Sequence, residues 1–355
     1  MSIVLETQWD NARRALERSW VCVARASELT RETVLPVAVN DASVLITRDR
    51  DGALHALHNV CSHRGHPLAE ERCERRGRIT CPYHGWSYAL DGRLKSTPHI
   101  GGPGVHEAVD FERASHAIPT VVVDTWWDFV FVNLDGKAAG LAQWVAPLEA
   151  RWAPLLGEAG LSPYRPAAEP GFSLEVDAAW PLAVENYCES YHLPCVHPGL
   201  NSYSRIDDHY TISEPGRFGG QGTRVYEPRY LAGASLLPNP VWPEEQREVA
   251  EYVALFPNLL LGLHEDHAFS VRLESLGADR TREVCDLYFF EDAAQSQAHA
   301  IARDRTRSAW VSVFEEDIPV VEGMHRGRRS PAYTGGTFSP VLEAASMNFY
   351  DWMHG

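Results

Sequence analysis

Two short cysteine–histidine loops constrain this sequence more than any other feature. Cys61 and His63 form the first loop, and Cys81 and His84 form the second, so the spacing is C-x-H-x17-C-x2-H. A fold that brings the two loops together presents two thiolates and two imidazoles. These ligands suit a Cys₂His₂ zinc site or a two-iron cluster in which the cysteines bind one iron and the histidines the other.

The distribution of ligands between the loops favours the cluster. Zinc-finger spacing groups Cys with Cys and His with His, whereas each loop here holds one of each. Residues 61–65 (CSHRG) and 81–86 (CPYHGW) also resemble the two loops of Rieske [2Fe–2S] domains. The resemblance implies that Cys61, His63, Cys81 and His84 bind the cluster. The other five cysteines are expected to be packing residues, and three nearby histidines to be loop or surface residues: Cys22, Cys73, Cys188, Cys195, Cys285; His55, His58, His66.

A second group of candidate ligands lies in residues 185–198 (ENYCESYHLPCVHP). Asn186, Glu189 and His192 are spaced by three and share one face of a predicted helix. Pro194 predicts that this helix ends near His192, which leaves His197 on the following turn beside it. Two imidazoles and one carboxylate form the facial triad that binds Fe(II) for O₂ chemistry. The alternative is a pair of unrelated histidines.

This segment resembles the N-x2-[D/E]-x2-H-x4-H signature of Rieske non-haem iron oxygenases, so the resemblance extends over nearly the whole chain. It implies that His192 and His197 bind the iron and that Asn186 lies near it. The residue at the position of Glu189, usually Asp in the family, links a cluster histidine of the neighbouring subunit to an iron-bound histidine.

The family's carboxylate ligand lies on a C-terminal helix, here in residues 314–323 (FEEDIPVVEG). The family pattern selects Asp317, and three acids compete with it: Glu315, Glu316 and Glu322. Pro319 is expected to distort this helix locally. We discount His264 and His267 as ligands, because residues three apart on a strand face opposite sides.

The pattern along the chain predicts an α+β protein: an N-terminal all-β Rieske domain, then an α+β catalytic domain with an antiparallel sheet and helices. The expected divisions are an N-terminal helix packing on the catalytic domain (1–19), the Rieske domain (20–137), a helical connector (138–170) and the catalytic domain (171–355).

Within these divisions, helices are expected at 7–19, with Thr7 as N-cap, and at 181–192 and 294–323. Residues 202–243 are expected to form a long lid or interface loop. Strand-like runs are listed by range: 20–24, 34–39, 44–47, 54–59, 77–80, 120–123, 128–134, 171–178, 222–226, 253–263, 268–275, 284–290.

Composition excludes several function classes. The net charge of −16, from 32 Lys+Arg and 48 Asp+Glu, opposes nucleic-acid binding. The N-terminal residues lack the apolar core of a secretory signal, and no apolar run approaches the ~18 residues of a membrane helix. These features predict a cytoplasmic protein with no nucleic-acid or membrane partner.

The resemblance implies the oxygenase component of a Rieske system, with a [2Fe–2S] cluster, a mononuclear Fe(II), and O₂ and a small molecule as substrates. Electrons arrive from a separate reductase or ferredoxin, so NAD(P)H acts only indirectly, and a homotrimer is expected. Glu at position 189, the length of the chain and the residues YHLP and HP of the second motif look closest to the choline-, betaine- and carnitine-type monooxygenases.

Five aromatic residues are candidates for a cation–π box, or simply for the core: Tyr203, Tyr210, Trp242, Phe256 and Phe269. The alternative functions are hydroxylation of an aromatic or heterocyclic compound and a Rieske electron carrier without oxygenase chemistry.

Overall fold

The computed structural model describes the backbone of residues 3–355 and the side chains from residue 9 onward. The chain divides into two units by its internal contacts. One comprises Leu16–Leu141, and the other Ala142–Gly355 with the N-terminal helix up to Ala15. The predicted α+β class is confirmed, since both units contain antiparallel sheets and the larger one adds helices.

The smaller unit contains a seven-stranded and a three-stranded antiparallel sheet. The larger sheet has the order β1-β10-β9-β4-β3-β2-β5, and the smaller β6-β7-β8. Their strands are β1 Val21–Arg25, β2 Thr33–Val39, β3 Ala42–Arg48, β4 Leu54–His58, β5 Cys73–Glu74, β6 Ile79–Thr80, β7 Ser87–Tyr88, β8 Leu94–Ser96, β9 Thr120–Trp126 and β10 Phe129–Asn133.

The larger unit is built on one antiparallel sheet of order β11-β18-β17-β16-β15-β14-β13, with β12 also paired to β18. Every residue of β15 and β16 is buried, which explains their nearly continuous apolar sequence. The strands are β11 Tyr164–Pro166, β12 Phe172–Val176, β13 His209–Glu214, β14 Phe218–Thr223, β15 Ala250–Leu255, β16 Leu259–Leu263, β17 His267–Ser275 and β18 Thr281–Phe290.

Helices complete the larger unit, and α3 contacts α5, α6 and the strands β15 and β17. None of the helices within residues 3–355 combines the length and apolar character needed to cross a bilayer. The helices are α1 Ile3–Arg18, α2 Leu141–Leu156, α3 Trp180–Tyr187, α4 Leu193–Val196, α5 Ala300–Arg328 and α6 Ala344–His354.

Several boundaries differ from the prediction. Helix α1 begins at Ile3, so Thr7 lies inside it and is not its N-cap. The expected loop at 202–243 contains β13 and β14, and the connector at 138–170 contains β11 as well as α2. The expected strand 253–263 is a hairpin of β15 and β16, because Pro257 lies in a turn between them.

Candidate metal centres and active site

The two cysteine–histidine loops have the same backbone construction. In the first, the Gly65 N–H donates to the Cys61 carbonyl and the Cys61 N–H to the His66 carbonyl; in the second, Gly85 donates to Cys81 and Cys81 to Trp86. Gly65 and Gly85 have φ values of +76° and +73°. This left-handed conformation favours glycine, which explains why each loop carries Gly directly or shortly after its histidine.

The four candidate cluster ligands lie together at these loops. Cys61 and Cys81 are buried and lie side by side, whereas the rings of His63 and His84 are exposed and have centroids 4.5 Å apart. The ligand atoms of a single zinc ion lie close together. Among the described residues, the donor atoms of these four side chains do not all lie within 4.8 Å of one another. Thiols on the buried side and imidazoles on the exposed side fit a two-iron cluster.

Neighbouring side chains hold both ends of this site. The Trp86 ring stacks on His63 at 4.7 Å and 9°, and the Tyr88 hydroxyl lies 3.2 Å from Cys61 Sγ. Although His63 is largely exposed, the partial loss of solvent on the side of its ring that faces the protein, with repulsion from His84 and Arg64, lowers the pKa of His63 and favours the neutral imidazole that a metal binds.

The other predictions for this region have a mixed outcome. Cys22, Cys188 and Cys285 are buried as expected, and Cys73 packs against the core of the smaller unit. Cys195 is exposed, so its assignment as a packing residue is wrong. His66 lies in a loop as expected, whereas His55 and His58 lie in strand β4, and all three are half-buried.

The second motif is not one helix. Helix α3 ends at Tyr187, and Glu189 and His192 lie in the turn that follows it. The Glu189 carboxylate accepts hydrogen bonds from the backbone N–H groups of Tyr191 and His192, which stabilises this turn. Pro194 does not end a helix; it occupies the first turn of α4, where its missing N–H costs nothing.

This turn and α5 bring the three predicted ligands together. One donor atom from each of His192, His197 and Asp317 lies within 4.8 Å of the others. Asp317 Oδ1 lies 3.0 Å from His197 Nε2 and 3.7 Å from His192 Nε2. Both imidazoles therefore turn the same nitrogen toward one carboxylate, as a two-histidine, one-carboxylate metal site requires.

A second carboxylate fixes the far side of each imidazole. His192 Nδ1 lies 2.7 Å from Glu189 Oε1, and His197 Nδ1 lies 2.8 Å from Glu316 Oε2. Metal-binding histidines usually donate their other ring N–H in this way. Burial alone would lower the pKa of His197, but the hydrogen bonds and charges of Asp317 and Glu316 outweigh burial and raise it.

The three competing acids do not join the group formed by Asp317 and the two histidines. Glu316 contacts His197 through the Nδ1 side, Glu322 accepts from the Asp177 N–H, and Glu315 is exposed. The Asn186 side chain donates a hydrogen bond to Asp317 Oδ1 at 2.9 Å.

Helix α5 continues through Pro319.

A cavity adjoins the three candidate ligands. Five aromatic rings and no Lys or Arg stand among the residues that line it. Of the five predicted aromatic candidates only Phe269 lines this cavity. Trp242 and Phe256 are core residues, Tyr210 bonds to Glu251, and the Tyr203 ring packs against Tyr226 and Tyr230. The remaining rings that line it were missed: Tyr187, Tyr252, Trp310 and Phe314.

The reason given for discounting His264 and His267 is wrong. The two residues lie at the turn between β16 and β17, where the His264 N–H donates to the His267 carbonyl. Their rings stack with centroids 4.2 Å apart and planes within 7°. Neither residue belongs to the group formed by His192, His197 and Asp317.

Comparison with known proteins agrees with this geometry. Residues 19–110 match the Rieske [2Fe-2S] domain, and residues 166–354, more than half of the chain, match the ring hydroxylating alpha subunit (catalytic domain). The chain belongs to this family. Proteins of this family bind a Rieske cluster and a mononuclear iron and receive electrons from a separate reductase. The protein is therefore an oxidoreductase rather than only an electron carrier.

The similar proteins include several oxygenases. The glycine betaine monooxygenase oxygenase subunit of Chromohalobacter salexigens is 26% identical over 96% of this chain and 81% of its own length. The structure of a quaternary ammonium Rieske monooxygenase has a TM-score of 0.76 at 23% identity, covering 97% of this chain and 90% of its own. Naphthalene 1,2-dioxygenase from Rhodococcus sp. has a TM-score of 0.67 at 19% identity, covering 98% and 92%.

Replacing Glu316 tests its role at the candidate iron site. Glu316→Ala removes the acceptor at His197 Nδ1, so we expect the affinity for a divalent metal at the mononuclear site to fall about 10- to 100-fold. Equilibrium dialysis of the protein against Fe(II) under argon measures this. Glu315→Ala, one residue away and exposed, is the control and should change nothing; equal affinities for the two variants would contradict the role.

Proposed function

We propose that Cys61, His63, Cys81 and His84 hold the [2Fe–2S] cluster and that His192, His197 and Asp317 hold the mononuclear iron. The observation that carries the second assignment is the convergence of two Nε2 atoms on Asp317 Oδ1. When bound, the cluster supplies single electrons and the iron activates O₂.

The surrounding residues prepare the mononuclear site. Glu189 and Glu316 hold the two imidazoles with their Nε2 atoms toward Asp317. Asn186 donates to Asp317 Oδ1 and so restricts how this carboxylate turns. The aromatic and aliphatic part of the cavity wall makes the space beside the ligands unfavourable for water.

The two metal assignments predict independent losses. Cys81→Ser should remove the cluster, because a hydroxyl is a poor substitute for a soft thiolate, and should leave mononuclear iron in place. Asp317→Ala should do the reverse. Iron analysis with optical and electron paramagnetic resonance spectra of each variant checks this, and Glu315→Ala is the control for Asp317. If Asp317→Ala retains its mononuclear iron, the assignment is wrong and Glu316 becomes the next candidate.

We propose that the substrate is a small quaternary amine that is hydroxylated or oxidatively demethylated. The cavity beside the ligands offers aromatic rings, which attract a cation that carries no N–H group, and no Lys or Arg is among the residues that line it. Relatives named for glycine betaine and for carnitine support the same class. The alternative of an aromatic substrate has the same apolar walls in its favour and the fold shared with naphthalene 1,2-dioxygenase.

Substrate-dependent O₂ consumption separates the two substrate classes. With a competent reductase, we expect glycine betaine, carnitine or a related quaternary amine to stimulate O₂ uptake at least tenfold over indole or naphthalene. Product analysis must show hydroxylation or loss of a methyl group, since uncoupled O₂ reduction also consumes oxygen. Stimulation by the aromatic compounds alone would overturn the quaternary-amine assignment in favour of the alternative.

We further propose that Glu189 connects this iron site with the cluster of a neighbouring subunit in a ring-shaped homotrimer. The similarity of the motif to the family signature supports the link, and a relative's structure is described as revealing inter-subunit electron transfer. A head-to-tail interface that closes on itself serves such an arrangement. A cytoplasmic location stays a prediction.

Glu189→Gln tests this connection. Gln is nearly isosteric, so we expect both metals to remain, while reoxidation of the reduced cluster with substrate and O₂ slows at least tenfold because the anionic acceptor is gone. Stopped-flow absorbance of the cluster measures the rate. Glu316→Gln is the matched control, because it makes the same change beside the other imidazole. It should leave the rate of cluster reoxidation near that of the wild type. Reoxidation at the wild-type rate would refute the connection, and loss of iron would make Glu189 only a support for His192.

A further inference from the structure

A hydrogen-bonded chain leads away from the cavity beside the candidate iron ligands. Trp310 lines that cavity, and its indole N–H donates to His267 Nε2 at 3.0 Å. His267 Nδ1 lies 2.6 Å from Asp266 Oδ1. His267 and Asp266 line a second cavity, and the Asp266 side chain is 26% exposed. The chain therefore connects a buried indole ring with solvent.

The hydrogens in this chain have fixed positions. An indole N–H can only donate, so His267 Nε2 presents its lone pair to Trp310 and the ring hydrogen of His267 lies on Nδ1. Asp266 accepts this hydrogen and so holds the imidazole in that tautomer. A Trp that loses one electron becomes strongly acidic at its ring nitrogen. The chain thus places a proton acceptor where the oxidation of Trp310 would release a proton.

An aromatic contact leads from Trp310 toward the second cavity. The rings of Trp310 and Tyr226 are parallel within 2°, with centroids 6.5 Å apart. Tyr226 lines the second cavity, and its hydroxyl lies 2.9 Å from that of Tyr230. Trp and Tyr are among the side chains that give up one electron most readily. Electrons can therefore reach Trp310 from the side of the second cavity through an adjacent ring.

The same indole ring lies close to the candidate iron site. Trp310, Phe314 and Asp317 form one row on α5, and at 1.5 Å per residue Trp310 lies about 10 Å from Asp317 along the helix. Phe314 lines the cavity between them, with its ring centroid 6.3 Å from that of Trp310. Single electrons cross such distances through packed protein, so an oxidant at the iron site has Trp310 within reach.

We propose that Trp310, His267 and Asp266 protect the catalytic unit when O₂ is reduced without attacking a substrate. Trp310 gives one electron to the O₂-derived oxidant, and its indole proton moves to His267 Nε2. A small thiol in solution then returns one electron to the indole radical through Tyr226. His267 gives the proton back to the indole nitrogen, and the oxidised thiol releases its own proton to water. The proposal rests on iron at the site proposed above and not on the class of substrate.

Hydrogen peroxide tests this route without a reductase, because it carries the two electrons that O₂ would otherwise receive. The oxidised holoenzyme without substrate is mixed with peroxide and rapidly frozen for electron paramagnetic resonance. We expect an indole radical, identified by the change in its spectrum when the Trp rings are deuterated. Trp310→Phe should lose most of this signal. Trp242→Phe is the matched control and should retain it, since Trp242 is also buried but donates to the Gln246 carbonyl.

His267→Gln separates proton transfer from positioning. The amide oxygen of Gln can accept the indole hydrogen bond, but the amide cannot take up the indole proton. We therefore expect His267→Gln to lose most of the radical signal. Peptides that contain His192 and His197 should gain more oxygen under peroxide than those of the wild type, as measured by mass spectrometry. A residue that only held Trp310 in place would leave both measurements unchanged, and iron analysis before treatment confirms equal metal content.

The labelled wild type decides the proposal even if a variant does not fold. A wild-type radical that is insensitive to Trp deuteration would show that no indole is oxidised and would end the proposal. An equal radical yield in Trp310→Phe would assign the radical to another Trp and contradict it as well. A wild-type yield in His267→Gln would remove His267 as the proton acceptor. Turnover of aromatic compounds in place of quaternary amines would overturn the proposed substrate and leave the expected radical unchanged.

Discussion

Asp317 Oδ1 is the atom on which the catalytic unit depends. It accepts a hydrogen bond from Asn186 and lies within 3.7 Å of the Nε2 atoms of His192 and His197. These side chains come from a helix end and a turn more than 100 residues earlier in the chain. The large antiparallel sheet makes the meeting possible, because α3 packs on it and on α5 together.

The two Rieske loops bring their candidate ligands together by local backbone contacts. Each loop closes on its own backbone, and glycine at positive φ lets it do so within five residues. The candidate cluster ligands therefore lie next to the residues that shape the loop, and a short stretch of sequence reveals both. The candidate iron site is different, since its carboxylate, Asp317, belongs to a distant helix and nothing local identifies it.

This contrast explains what sequence predicts and what it does not. The candidate cluster ligands and the pair His192 and His197 stand in compact motifs, and the strands of the smaller unit follow from alternation and turn residues. The end of α3 could not be predicted, because the Glu189 carboxylate stabilises a turn where spacing favours a continued helix.

The aromatic wall was missed for a tertiary reason. Trp310, Phe314 and Asp317 recur at helical spacing, which was a signal, but Tyr252 joins them only through the pairing of β15, β16 and β17. The Glu316 contact with His197 is likewise visible only when α4 and α5 are placed together.

The pairing of these strands also places Gly262 between Tyr252 and Phe269. A Cβ atom at this position would lie 2.1 Å from the Phe269 ring, so the ring can cover the strand only because residue 262 has no side chain. A larger residue at position 262 would displace the Phe269 ring from the cavity wall. The candidate iron ligands lie on other elements, so the width of the cavity can change without moving them. The size of molecule that the cavity can hold thus depends on a position that is not itself among the residues lining it.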